Sequence, residues 1–537
     1  MKQKKLLALL LSAAMVTTMF AGCGAKEETA APAADTTTET AEATDDAAET
    51  AAPEENKFAD HVTLKWYLHG SNVSDDAAVL EKVNEYLNEK INADLQPIWG
   101  TWGDFDEGAT LAINGGDDVD IYFTCSWSAD EYNKYAKQGA WVRLDDPSNN
   151  LIDQYGSDVW AALPQVLKDG AVTDGAAGTG VYAVPGFKDF GTQNTWDVNV
   201  TLLEELGYTL ADVESRDFYS FGDLLAAAKE AKGDDFYPLV IEGAVLERMV
   251  TNSIIVNGDT AGVLSYYLDP KDVSNDIGSK VVNKFGTDEY AKFANQVREY
   301  YLAGYIDPAL ANGGTANDTL VAQQNAANYL IGTQSYALGY EYTTSAARGI
   351  HVEYVPCTDP YVDKTATQGA MMAISTASKN PERAMAFLNL LNTDPYLMML
   401  LEYGVEGTHY TLDDNGLVVF NDDARATYSP WRNGMGNITL LTPTADEGVD
   451  FFTDTFVPYY TNAKAIPAFG YSFVPTSVEN ELASLANVQA QYALSIDCGS
   501  VDPATALPEF LEKLDANGIQ TVVDEANAQL DAYFAAN

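Results

Sequence analysis

Between His61 and Thr124 the spacing of apolar residues switches repeatedly between two periods, and this alternation constrains the fold more than any other feature of the chain. His61 to Leu68 (HVTLKWYL) alternates apolar and polar, the period of a half-buried strand. Ser74, Asp75 and Asp76 supply a helix start, and Leu80, Val83, Leu87 and Ile91 then recur at helical spacing to give one apolar face. Ala93 to Ile98 reads as a second strand, Leu111 to Asn114 ends a helix at Gly115-Gly116, and Val119 to Thr124 (VDIYFT) is a strand again. A β-α-β-α-β run predicts an α/β lobe with a mainly parallel sheet, because parallel strands are joined by helical crossovers.

Similar signals continue downstream. Thr195 to Val200, Tyr237 to Glu242, Tyr329 to Tyr340 and His351 to Val355 read as strands of a second lobe, and Gln368 to Ser375 as a strand returning to the first. Asn380-Pro381-Glu382, Thr393-Asp394-Pro395 and Asp502-Pro503 each place a capping residue before a proline, the start signal of a helix.

The first residues address the chain rather than fold it. Lys2, Lys4 and Lys5 precede an apolar run from Leu6 to Phe20, too short to span a bilayer and placed as an export signal. Phe20-Ala21-Gly22-Cys23 resembles the lipobox of bacterial lipoproteins, which implies cleavage after residue 22 and a lipid on Cys23. Residues 23–57, nearly all Ala, Thr, Glu, Asp and Pro, lack apolar periodicity and read as a disordered linker. The expected location is the extracellular face of the cell membrane, lipid-anchored.

Composition excludes other classes. Thirty basic residues against 79 acidic give a net charge of −49, so no basic stripe exists for a nucleic acid. With so many carboxylates, pairs arise by chance and carry little evidence of catalysis. Cys125, Cys357 and Cys498 form no CxxC, and the four histidines no HExxH, so neither a metal nor a cofactor is expected. Asp117-Asp118 with Asp120, and Asp413-Asp414-Asn415-Gly416, lack the spacing of a calcium loop; the second reads as a hairpin turn.

Three blocks then carry a family likeness: SKNPERAMAFLNLLNTDPYLMMLLEYGVEGTHY (378–410), FGYSFVPTSVENE (469–481) and GSVDPATALPEFLEKLDANGI (499–519). Together they resemble the extracellular solute-binding lipoproteins of ABC importers, specifically the family-1, LplA-like group of oligosaccharide and polysaccharide uptake; Val474 stands where that group often has Asp. The likeness implies an α/β, two-lobed periplasmic-binding-protein-like fold of type II, with the ligand cleft between the lobes and several hinge crossings. It implies no catalytic residue, an oligosaccharide ligand, ABC permease subunits as partners and a monomer. The boundaries expected are 58–185 plus 366–465 for lobe 1 and 186–365 plus 466–537 for lobe 2.

Sugar rings need flat apolar surfaces and planar polar groups, so aromatics at strand ends and loops are the candidate ligand contacts. They are Trp127, leaving the strand 119–124; Trp66 and His69, at the first strand; Trp99 and Trp102, after the second; Trp196; Tyr340 with Glu341; Trp431 with Asn437, in a Gly/Asn-rich loop; and Tyr471. Trp141 and Trp160, in helix-like surroundings, read as packing. The rival readings are a surface glycoside hydrolase or lyase, with two carboxylates across a scissile bond, and a peptide-binding protein on the same fold.

Overall fold

A computed structural model describes residues 58–536, apart from 71–72, 102, 252, 268–279, 313–315, 336–337 and 422. Cys23, expected to carry a lipid, residues 24–57 expected as a linker, and Trp102 lie outside the described residues. Nine strands build the two main sheets: Val62–His69 (β1), Ala93–Gly100 (β2), Ile121–Thr124 (β3), Ala183–Pro185 (β4), Asn194–Asn199 (β5), Leu239–Val240 (β6), Ile331–Ser335 (β7), Val352–Pro356 (β8) and Met371–Ile374 (β9).

The first sheet runs β2-β1-β3-β9-β4. β1 lies parallel to β2 and β3, whereas β9, arriving after the chain has visited the second lobe, is antiparallel to β3 and β4. The helix Asp76–Ile91 covers it through Val79, Val83, Leu87 and Ile91, with Val79 rather than Leu80 filling the first position. Helices Pro381–Thr393 and Pro395–Tyr403 start at the predicted prolines; the Asp394 carboxylate accepts from Leu397 N at 3.0 Å.

The second sheet runs β8-β5-β7-β6, with β5 antiparallel to both neighbours. β7 stops at Ser335, short of the strand expected to reach Tyr340, because Gly339 adopts φ 88° and Tyr340 opens the helix Tyr340–Arg348. Helices Glu479–Asp497, Pro503–Ala516 and Ile519–Ala536 pack on this lobe.

Two separate buried clusters result, one around β1, β3 and β9, the other around β5, β6 and β7. Three chain segments cross between them and bond to one another. Thr192 and Tyr361 exchange backbone hydrogen bonds of 2.7 and 3.0 Å, and Ile466 N donates to Val362 O at 2.9 Å. The short strand Tyr361–Val362 runs parallel to Lys464–Ala465. The crossings are thus a small hydrogen-bonded unit, the arrangement expected where hinge motion is confined to a few residues.

Candidate functional site

Parallel register brings several strand ends to one edge of the first sheet. His69 pairs with Gly100, and the alignment of Tyr67 with Tyr122 carries His69 level with Thr124, which in turn pairs with Met371 and through it with Pro185. In an open α/β sheet, this carboxyl-end edge is where ligands bind.

Aromatic rings cover that edge. His69 stacks on Phe105 with centroids 3.7 Å apart and lies nearly parallel to Trp127 at 6.1 Å. Trp431, from a distant loop, stands edge-on to His69 at 5.7 Å and to Trp127 at 5.9 Å, while Phe123 fills the space beneath. Trp127 is 49% exposed and Trp431 half-buried, so the shelf presents indole surface to solvent. Burial holds the His69 pKa down to about 4, against an opposing pull from Asp106, so the ring is neutral at pH 7.

Each indole is held from behind. Trp127 Nε1 donates to Gly369 O at 2.8 Å, and Ser126 Oγ to Thr365 O at 2.9 Å, tying the shelf to the middle crossing. Trp431 lies over Gly434, where a Cβ would stand 2.4 Å from the ring, so only glycine fits. The next residue, Arg432, pairs with Glu447 at 2.7 Å and lies over Phe452. Glu447 also accepts from Thr444 N at 2.9 Å. Deeper still, burial pushes the Glu402 carboxyl up to about 8, against the pull of Arg425 and Arg432.

The second lobe reaches this region through the turn before the helix Tyr340–Arg348. A Cβ on Gly339 would lie 3.3 Å from the Phe451 ring and 3.5 Å from Glu447 Oε1, so the two turns abut. Leu338 N donates to Tyr460 OH at 3.4 Å. Half-buried Glu341 follows, its pKa raised by burial and by the nearby Glu353 and Glu447 charges.

A family model described as bacterial extracellular solute-binding protein matches residues 70–398, which include every strand of the two sheets except β1, and Trp127 of the aromatic edge. The chain belongs to that family. Residues 467–535 also match a domain of unknown function. A carbohydrate ABC transporter substrate-binding protein of Streptococcus pneumoniae is 27% identical over 479 residues, covering 88% of this chain and 91% of the relative. The N-glycan transport solute binding protein NgtS of the same species, a solved structure, superposes with a TM-score of 0.74 at 26% identity, covering 88% of this chain and 98% of that one. Its complex with Man5GlcNAc gives 0.69 at 25%, covering 88% and 99%. Membership of a binding-protein family, with relatives that are components of ABC transporters, sets the hydrolase and lyase readings aside.

For this solute-binding protein, the residues expected at the ligand separate into groups. His69, Trp127 and Trp431 form the shelf. Trp99 is half-buried beside it, its Nε1 donating to Asp76 at 3.2 Å. Tyr340 and Glu341 stand on the second lobe, at the start of a helix rather than at a strand end. Trp66 does not join them: it is fully buried, edge-on to Phe387 at 5.5 Å, with Nε1 against the Met372 sulfur. Trp196 packs in the second core, stacked on Phe218 and edge-on to Phe221. Asn437 is buried, its Oδ1 accepting from Thr439 N at 3.0 Å and its Nδ2 donating to Asn392 O at 3.3 Å. Buried Tyr471 donates to Ala526 O at 2.8 Å, away from the shelf. Phe105 and Phe123 escaped the sequence reading, since a phenylalanine inside a helix or strand carries no signal that separates a shelf from a core. Among the described residues, no His, Cys, Asp or Glu converge as a metal site, and no helix is long and apolar enough to cross a membrane.

Proposed function

We propose that this protein captures an oligosaccharide of the N-glycan type between its lobes and delivers it to an ABC permease, held at the extracellular face of the membrane by a lipid on Cys23. The observation that carries the reading is the pair of crossed indoles, Trp127 and Trp431, both against neutral His69 at the carboxyl edge of the first sheet. Exposed indole surface suits the C–H side of pyranose rings. The named carbohydrate relatives support the same ligand class.

In this reading, residues 58–185 with 366–465 form one lobe and 186–365 with 466–537 the other. The sugar rests on the shelf and meets Tyr340 and Glu341 from the opposite lobe on closure. Contacts made to both lobes only when closed give the ligand higher affinity for that state, which shifts the equilibrium toward it. The chain works as a monomer. A thermal-shift screen of the mature protein against N-glycans, other oligosaccharides and peptides tests this, with mass spectrometry of each positive sample. A rise in Tm with an intact glycan is expected; a rise with peptides alone would overturn the sugar assignment.

A further inference from the structure

A second cavity, of about 480 Å³, is lined by residues of the middle crossing and of both lobes. Its first-lobe wall comes from Lys137, on the helix Tyr132–Gln138, and from Asp174, in the hairpin Val172–Gly175 and Gly178–Val181. Lys364, at the start of the crossing helix Lys364–Thr367, forms its floor. The opposite wall is Tyr471, Gln529 and Tyr533, all within the segment that matches the domain of unknown function.

The charge of this cavity is unlike that of the protein. In a chain with 79 acidic and 30 basic residues, two lysines face one pocket, and neither has a carboxylate within ion-pair distance among the described residues. Lys364 is half-buried, and its pKa is lowered first by burial and further by Lys137, while Asp174 opposes. Asp174 spends one oxygen on Thr179 Oγ1, at 2.6 Å. Two ammonium groups against one carboxylate leave the lining one positive charge in excess. One monoanion balances it, whereas a phosphate dianion overshoots.

We infer that this pocket binds a single carboxylate between Lys137 and Lys364, and that the acid is carried by a sugar unit of the captured oligosaccharide. The origin of the carboxylate, though not the pocket, rests on the oligosaccharide reading. Trp127 and Ser126 bond to the same crossing that carries Lys364, so shelf and pocket share one structural element. Its walls come from both lobes, so a bound carboxylate bridges them. This gives the C-terminal segment a role: it completes an acid-specific subsite.

The test is a calorimetric titration of the mature protein with a sialylated oligosaccharide, with its desialylated form, and with free N-acetylneuraminate. Lys364→Gln, Lys137→Gln and the double variant follow. Lys137 is exposed, so its variant remains informative if Lys364→Gln fails to fold. A charge-assisted contact gives the acidic glycan about a tenfold advantage, reduced by salt and lost in the double variant. Free N-acetylneuraminate binding in a lysine-dependent way, with neither oligosaccharide bound, would support the pocket and overturn the oligosaccharide reading. Equal affinity for the two glycans, or a preference that survives both lysine changes, would overturn the pocket and leave capture on the shelf intact. Binding of none of the three would overturn both.

Discussion

The indoles of Trp127 and Trp431 cross at 76° with centroids 5.9 Å apart, although one leaves the third strand of the sheet and the other belongs to a loop near the end of the same lobe. Neither ring is placed by its own loop alone. Trp127 hangs from a crossing carbonyl, and Trp431 lies on a glycine and beside an ion pair. Under the proposed function, a shelf held from behind in this way is set before ligand arrives, which lowers the cost of ordering on binding.

Trp66 and Trp127 give opposite expectations for one substitution. Trp66→Ala removes a fully buried ring and should lower stability by about 3–5 kcal/mol. Glycan affinity per folded molecule should hardly change. Trp127→Ala should leave Tm nearly unchanged and weaken glycan binding roughly 30-fold, the effect of losing a central aromatic contact. Urea unfolding and calorimetric titration of both variants separate the two roles.

Gly339 touches the opposite lobe at φ 88°, so a side chain there meets both backbone strain and the Phe451 ring. Gly339→Ala should cost about 1–2 kcal/mol in stability, because a Cβ at positive φ is strained and the Phe451 ring must also give way. Denaturant unfolding of variant and parent measures the loss; equal stability would contradict it.

Arg348 and Asp197 form a buried ion pair of 2.7 Å in the second lobe, with side chains 9% and 0% exposed. The Tyr329 hydroxyl donates to the same carboxylate at 2.7 Å. Arg348→Met leaves that carboxylate without its cation and should cost about 3–5 kcal/mol. Denaturant unfolding measures the loss.

Glu402 offers a pH signature. Burial raises its folded pKa from 4.5 to about 8, so between these values the folded state holds a proton that the unfolded state has lost. Its contribution is complete below pH 4.5 and declines as pH rises toward 8, by up to about 1.4 kcal/mol per unit. Glu402→Gln removes this decline, so the variant should gain on the parent between about pH 5 and pH 8. Asp130 and Asp497, both pushed up to about 7 by burial, tilt both proteins equally and cancel in the comparison. Unfolding curves at three pH values test the trend, and a constant difference would contradict it.

Helix starts at Pro381, Pro395 and Pro503 were legible because a cap and a proline act on the adjacent backbone, with no help from distant residues. The end of β7 was not, since YLIGTQSYALGY carries no charge or proline to mark the stop at Ser335. The shelf was partly legible: Trp127 directly follows a strand that ends at the sheet edge. Trp66 misled because a tryptophan near a strand end has two faces to choose from. Parity decides it, for Trp66 shares its side with buried Leu64 and Leu68, where Phe387 arrives from a far helix. The meeting of Trp431 with Trp127 depends on how a distant loop packs, and no local pattern encodes that.

The most direct test of sugar capture on this shelf is a calorimetric titration of the mature protein, and of its Trp127→Ala/Trp431→Ala variant, with a high-mannose N-glycan. Saturable one-to-one binding by the parent, with the glycan recovered intact and binding abolished in a variant that circular dichroism shows to be folded, is the result expected. Equal binding by parent and variant would place the ligand elsewhere and contradict the assignment of this edge as the site.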